Sequence, residues 1–245
     1  MNAYLRIPLI ILTASAVFAV TLTALATGCY FYVEPSVPDA EELREVRFQI
    51  PLSVYSRDGR LMAQFGEEKR TPVDFDQIPD MLVNAVLAAE DDRFFEHSGI
   101  DYAGIARGAY YFVTRPGERV PGGSTITQQI TRVTNLMSRD YSLWRKFKEA
   151  ILAFRIEKEF TKEEILELYL NTYPFGQRSF GVAAAARTYF DKDLDELTLS
   201  EAAIIAGIPT GPSIMNPYNS PENARNRRAY VLRRMLELGF ITAAD

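Results

Sequence analysis

The chain has 245 residues, 47% hydrophobic and 24% charged, with a formal net charge of −5. That is ordinary globular material for one sizeable domain plus an appendage, and no global basic field argues for nucleic acid. One cysteine, Cys29, excludes an internal disulfide framework and a cysteine-rich zinc site, and one histidine, His97, excludes a His-pair metal motif.

Residues 7–33 carry no formal charge and are bounded by Arg6 and Glu34. About 20 apolar residues cross a bilayer, so this stretch predicts a transmembrane helix with length to spare for tilt. It exceeds the apolar core of a usual signal peptide, which favours an uncleaved anchor over a cleaved leader. Arg6 and the amino terminus, within a short tail at 1–6, favour a cytoplasmic N-terminal end. Tyr30, Phe31 and Tyr32 would then form an aromatic belt at the far interface. Residues 34–48, with Pro35 and Pro38, read as a stiffened polar linker. Within 49–75, Ile50 to Tyr55 and Arg60 to Phe65 flank Ser56-Arg57-Asp58-Gly59, which predicts a β-hairpin turning at Asp-Gly.

From residue 76 to 245 the pattern is mostly helical. Pro79 suits a first helical turn. Met81, Leu82, Ala85, Val86 and Ala89 have helical spacing and deliver Glu90 to a helix end, with Phe94 and Phe95 following at once. A carboxylate beside that much hydrocarbon has its charged form disfavoured, which raises its pKa toward that of a useful proton acceptor. A solvated acidic helix end with Asp91 and Asp92 is the competing reading. The run Tyr110-Tyr111-Phe112-Val113, followed by Arg115 and Arg119, fits either core packing or a surface dipping into lipid headgroups.

Gly122-Gly123-Ser124-Thr125-Ile126-Thr127-Gln128-Gln129 leads into a helix that Thr125 can cap, with Gln128 closing a capping box. Thr125, Gln129 and Arg132 fall at i, i+4 and i+7 and share one face. Hydroxyl, amide and guanidinium in line from a free helix start suit a pyrophosphate; the Lys of a P-loop is absent. In 142–160, Leu143, Phe147, Ala150, Ile151 and Phe154 lie along one face. The same segment holds Arg145, Lys146 and Glu149, either a surface i,i+4 pair or a basic wall around an ionised glutamate. Thr161-x-x-Glu164 and Thr198-x-x-Glu201 are further capping boxes, and Ser220-Pro221 opens a last helix ending at Gly239. Its arginines, Arg225, Arg227, Arg228, Arg233 and Arg234, read mostly as a solvated face.

Five ordered stretches together resemble the motifs of the peptidoglycan glycosyltransferases, the family 51 transglycosylase domain in the N-terminal half of class A penicillin-binding proteins. They are Glu90-Asp91-Asp92-Arg93-Phe94-Phe95-Glu96-His97-Ser98-Gly99, the Gly-Gly-Ser-Thr-Ile-Thr-Gln-Gln at 122–129, Arg145-Lys146-x-x-Glu149, Lys162-x-x-Ile165-Leu166-Glu167-x-Tyr169-Leu170-Asn171, and Arg228-x-x-Val231-Leu232-x-x-Met235. The resemblance implies a mostly α, lysozyme-like fold with a small β-hairpin and an N-terminal transmembrane helix. It implies polymerisation of lipid II into glycan on the outer face of the bacterial cytoplasmic membrane, with inversion and release of polyprenyl pyrophosphate. By position Glu90 resembles the catalytic base and Glu149 the second glutamate. Thr125, Gln129, Arg132, Arg145 and Lys146 match positions that hold pyrophosphate or sugar, and Asp91, Phe94, His97 and Ser124 match positions around the cleft.

The implied partners are lipid II, the growing lipid-linked glycan, the membrane and other cell-wall synthesis proteins, with no nucleic acid. No metal ligand set is visible, although a divalent cation (Mg or Mn) could assist the pyrophosphate. Val133, Asp191 and Arg132 depart from the family's usual asparagine, glycine and lysine. Ser-x-x-Lys, Ser-x-Asn and Lys-Thr-Gly do not occur, so no transpeptidase activity is expected of these residues. A lysozyme-type lytic enzyme, or an inactive membrane-anchored scaffold, are the alternatives that the same residues leave open.

Overall fold

The computed structural model describes residues 3–44, 52–59, 61–66, 68–115, 123–134 and 143–245. The expectations for 45–48, Ile50, Arg60, Arg119 and Gly122 lie outside the described residues. Helix α1 (Ala3–Val33) is followed by two 3₁₀ turns, Glu34–Ser36 and Ala40–Leu43. The apolar stretch Leu12–Ser36, which runs through α1 into the first turn, has a mean hydropathy of 1.7 and is almost wholly uncovered by protein. It is therefore long and apolar enough to cross a membrane.

Residues 34–43, expected as a polar linker, pack against the domain instead. Val33, Val37, Ala40 and Leu43 are all buried within the main hydrophobic core. Their spacing of three to four residues gives the two turns one apolar edge, a signal that the flanking prolines and acids obscure. The hairpin forms as expected: β1 (Leu52–Tyr55) pairs antiparallel with β2 (Leu61–Phe65). A second small sheet has the order β3 (Lys69–Arg70), β5 (Ser179–Phe180), β4 (Pro174–Gly176), with β3 parallel and β4 antiparallel to β5.

Helix α2 (Asp80–Glu90) is the centre of the domain. Leu82, Val83, Ala85, Val86, Leu87 and Ala88 are buried on it, and it packs against α8 (Leu199–Gly207) and α9 (Pro221–Glu237). Pro79 stands one residue earlier than expected, as the N-cap of α2. Helix α3 (Tyr102–Thr114) is amphipathic in the wrong sense for a core helix. Tyr102, Ile105, Tyr110, Phe112 and Val113 are exposed, and Gly104 is its one buried residue.

Helix α4 (Ile126–Val133) starts at a capping box in which Thr125 accepts from Gln128 N and Gln128 Oε1 accepts from Thr125 N. It lies between α5 (Leu143–Glu159) and α6 (Lys162–Thr172). The buried residues of α5 are Glu149, Ile151, Leu152, Ala153 and Ile156; of the expected face Ile151 is buried as read, whereas Phe147 is exposed and Phe154 only half-buried. A charged residue at the head of the buried set disguises its period. Gly99, at φ +91°, lies so close to α5 that a Cβ there would sit 2.9 Å from the Ala153 carbonyl; only glycine lets this loop and α5 touch. Helix α7 (Val182–Phe190) ends at Asp191 in the left-handed region, φ 55° and ψ 39°, a conformation an aspartate tolerates better than most side chains.

Candidate active site

Glu90 is the last residue of α2, where the helix leaves its final carbonyls without intrahelical partners. Three elements converge on its carboxylate. Gln129 Nε2 of α4 donates to Oε2 at 3.0 Å, Thr210 Oγ1 donates to Oε1 at 3.1 Å, and Arg227 Nη2 of α9 stands 3.5 Å from Oε1. The side chain is only 11% exposed. Burial raises its pKa above the ordinary glutamate value, and the donors from Gln129, Arg227 and Thr210 hold part of that rise back. The group is thus a carboxylate with an enhanced appetite for a proton, as its hydrocarbon approach predicts.

Behind Gln129 stands Tyr169 of α6, whose hydroxyl donates to Gln129 Oε1 at 3.3 Å. Tyr169 is fully buried and its pKa is pushed well above the usual tyrosine value by desolvation, then by the nearby Glu90 charge. It therefore stays a donor, which fixes Gln129 with its amide nitrogen toward Glu90. Tyr173, raised by the same two causes to about 12, also stays protonated.

One turn along α4, Arg132 faces the second carboxylate. Glu149 is completely buried, with Lys146 Nζ at 3.0 Å, Arg145 Nε at 3.5 Å and Arg132 Nε at 3.7 Å. Lys146 Nζ also donates to Ser124 Oγ at 2.9 Å. Three cations against one carboxylate leave this corner with a surplus of positive charge, suited to an anion. The same crowding is a poor fit to a divalent cation at Glu149, because metal-binding carboxylates need the cations away. Among the described residues, no group of three His, Cys, Asp or Glu side chains has metal-ligand geometry.

The other motif residues form the back wall rather than the face of the site. His97 Nδ1 accepts from Gly99 N at 3.2 Å, so its proton is on Nε2, 3.0 Å from Asp91 Oδ2. Asp91 Oδ2 also accepts from Ile126 N at 2.9 Å, the first amide of α4. Thr125 Oγ1 donates to Gly99 O at 2.7 Å. Asp91, His97 and Thr125 are all buried, so together they bolt the start of α4 to the end of α2. Phe94 is a core side chain, with Lys162 Nζ 4.4 Å above its ring and donating to His97 O at 2.7 Å. Residues named for sugar or pyrophosphate thus divide. Gln129 meets Glu90, while Arg132, Arg145 and Lys146 surround Glu149, and Ser124, a cleft residue by motif position, touches Lys146.

Thr210, Tyr169 and Arg227 belong to the site although motif position assigns none of them to it. Tyr169 stood inside a recognised motif. Arg227 carried a weak signal: it is i+7 from Arg234, so both lie on one face of α9. Arg227 Nη2 donates to Ala89 O at 3.1 Å and Arg234 Nη2 to Asp92 Oδ2 at 2.6 Å. Two cations thereby cover the negative C-terminal end of α2.

Comparison with known proteins places the chain in a family. Residues 58–236 match the model of the family described as Transglycosylase. The chain belongs to the transglycosylase family. It is 51% identical over 215 residues to penicillin-binding protein 1A of Escherichia coli, covering 88% of this chain and 25% of that protein. It is 49% identical over 218 residues to penicillin-binding protein 1A of Vibrio cholerae, covering 89% and 26%. A crystal structure of penicillin-binding protein 1A from Haemophilus influenzae is 34% identical, with a TM-score of 0.46 over 81% of this chain and 20% of that one. The chain spans about a quarter of the length of the curated relatives it matches.

Proposed function

We propose that this chain is a peptidoglycan glycosyltransferase that polymerises lipid II and releases polyprenyl pyrophosphate with inversion at the anomeric carbon. Helix α1 anchors it in the bacterial cytoplasmic membrane, with residues 1–6 inside and the domain at 76–245 on the outer face. The supporting observation is a single turn of α4 whose Gln129 holds Glu90 and whose Arg132 faces Glu149. A proton acceptor and an anion holder therefore flank one short piece of helix.

In this reading Glu90 takes the proton from the 4-hydroxyl of the acceptor sugar as that oxygen attacks the anomeric carbon of the lipid-linked donor. The bond from that carbon to the pyrophosphate oxygen breaks, and its electron pair leaves with the pyrophosphate. Arg132, Arg145 and Lys146 receive the developing negative charge from fixed positions, where it is worth most. Glu149 holds those cations in place against their mutual repulsion. The exposed aromatics of α3 supply the lipid-facing entry, since the substrate lives in the bilayer.

The test is a polymerisation assay with labelled lipid II, wild type beside Glu90→Gln. Long glycan from the wild type and none from the variant are the expected results. Shortening of preformed glycan without use of lipid II would mark a lytic enzyme instead. Full synthesis by Glu90→Gln would reduce the domain to a scaffold.

A further inference from the structure

We infer that Arg155 is a positioning residue that joins the outer end of α1 to α5 as one rigid strut, fixing the anion-holding cations relative to the membrane. The inference rests on the proposed membrane anchoring and substrate. Its observation is a guanidinium on α5 whose two terminal nitrogens both reach the segment that follows α1. Arg155 Nη1 donates to Val37 O at 3.0 Å and Pro38 O at 3.1 Å, while Nη2 reaches Glu34 O at 3.4 Å and Glu34 Oε1 at 2.5 Å. A planar fork with several fixed donors suits such a cluster; a lysine does not.

The attachment is made at both ends of α5. At its start the rings of Tyr32 and Trp144 lie 6.1 Å apart. At its finish Arg44 Nη2 donates to Glu159 O at 3.2 Å and its guanidinium covers the Phe160 ring at 4.7 Å. Between these points Val37, Ala40 and Leu43 are buried. From Trp144 to Phe160 is about 24 Å along a helix axis, so the segment is seated along all of α5.

A tether does not need this. Ten flexible residues have an end-to-end spread of about 17 Å, enough to let a domain roll and lift over its anchor. Arg145, Lys146 and Glu149 ride on the first two turns of the helix that Arg155 grips. Fixing the anchor to that helix fixes the cations relative to the plane from which a lipid-linked pyrophosphate arrives. The step gained is a pre-set approach rather than a new contact with substrate.

The experiment uses the full chain, in Cys29→Ser background, with spin labels on Phe31→Cys and Lys158→Cys. In lipid vesicles the distance distribution between the labels should be narrow. Arg155→Ala should broaden it, and Arg155→Lys, which keeps the charge facing Glu34 without the fork, should fall between. With lipid II in the same vesicles, Arg155→Ala should lower kcat/KM by about tenfold while losing far less in detergent micelles, where no plane has to be matched. An unchanged distance distribution, or equal losses in vesicles and micelles, overturns the inference. If the wild type polymerises lipid II in neither medium, the proposed function fails, and the label distances alone then decide for or against the strut.

Discussion

Arg227 and Glu90, 137 residues apart in the chain, meet at 3.5 Å where α9 passes the end of α2. The same guanidinium holds Ala89 O and lies 4.4 Å from the Tyr230 ring centroid. It therefore tempers the acid without neutralising it. Glu90 also faces Gln129 and Thr210 directly, with Tyr169 and Tyr173 nearby. Arg227→Met keeps most of the volume and removes the charge that lowers the Glu90 pKa. The acid limb of the pH profile of kcat/KM should move to higher pH, whereas an unmoved limb would assign that limb to another group.

Glu90→Gln should lower turnover by a factor of about 10² to 10⁴ and at the same time raise the melting temperature near neutral pH. The sign follows from burial. The folded pKa lies above the unfolded one, so the folded state binds more protons between them and loses stability as pH rises through that window. The gain in the variant should be present above the window and vanish below the ordinary glutamate range. Calorimetry at about pH 3 and about pH 7.5 checks both halves.

Arg145→Ala should weaken binding of a lipid pyrophosphate by about ten- to a hundredfold, the worth of a charged hydrogen bond. Binding of a sugar acceptor lacking pyrophosphate should change far less. Equal losses for the two ligands would make Arg145 a partner of Glu149 only. Titration calorimetry with both ligands distinguishes the cases.

Asp91→Ala strands two buried donors, Ile126 N and His97 Nε2. It should cost about 2–4 kcal/mol of stability, read by chemical denaturation. The fraction that remains folded should keep the wild-type affinity for lipid pyrophosphate. A selective loss of affinity at full stability would return Asp91 to the face of the site.

Phe112→Ser on α3 removes an exposed ring from a helix with little buried surface. Thermal stability should be unchanged. Binding of the domain, separated from α1, to anionic vesicles should fall. Unaltered vesicle binding would mean that another surface meets the lipid.

How much of this was legible depended on the range of each interaction. Capping boxes at Thr125, Thr161 and Thr198 close within three residues, and all three formed as read. The hairpin turned at its Asp-Gly for the same reason. The environment of Glu90 was half legible. Its hydrocarbon approach is local on α2, but Thr210 and Arg227 arrive from segments whose position only tertiary packing decides. Arg227 looked solvated because it shares its helix with four other arginines, and composition does not say which one turns inward. Motif position puts Asp91 and His97 around the cleft and Thr125 on pyrophosphate or sugar; in the fold their side chains tie the end of α2 and the loop after it to the start of α4. The segment at 34–43 hides its seating behind its prolines and acids, which mask Val37, Ala40 and Leu43, the three apolar residues that bury it beside Val33.

Gly207 closes α8 under Arg227, and a Cβ there would lie 2.7 Å from Arg227 Cγ. The missing methyl is a gap through which the arginine of one helix reaches the acid of another. Alanine at this position would satisfy every local preference of the helix and still alter the titration of a residue more than a hundred positions away. The pH profile of Gly207→Ala should therefore drift in the direction of Arg227→Met, an acidity set by an atom that is not there.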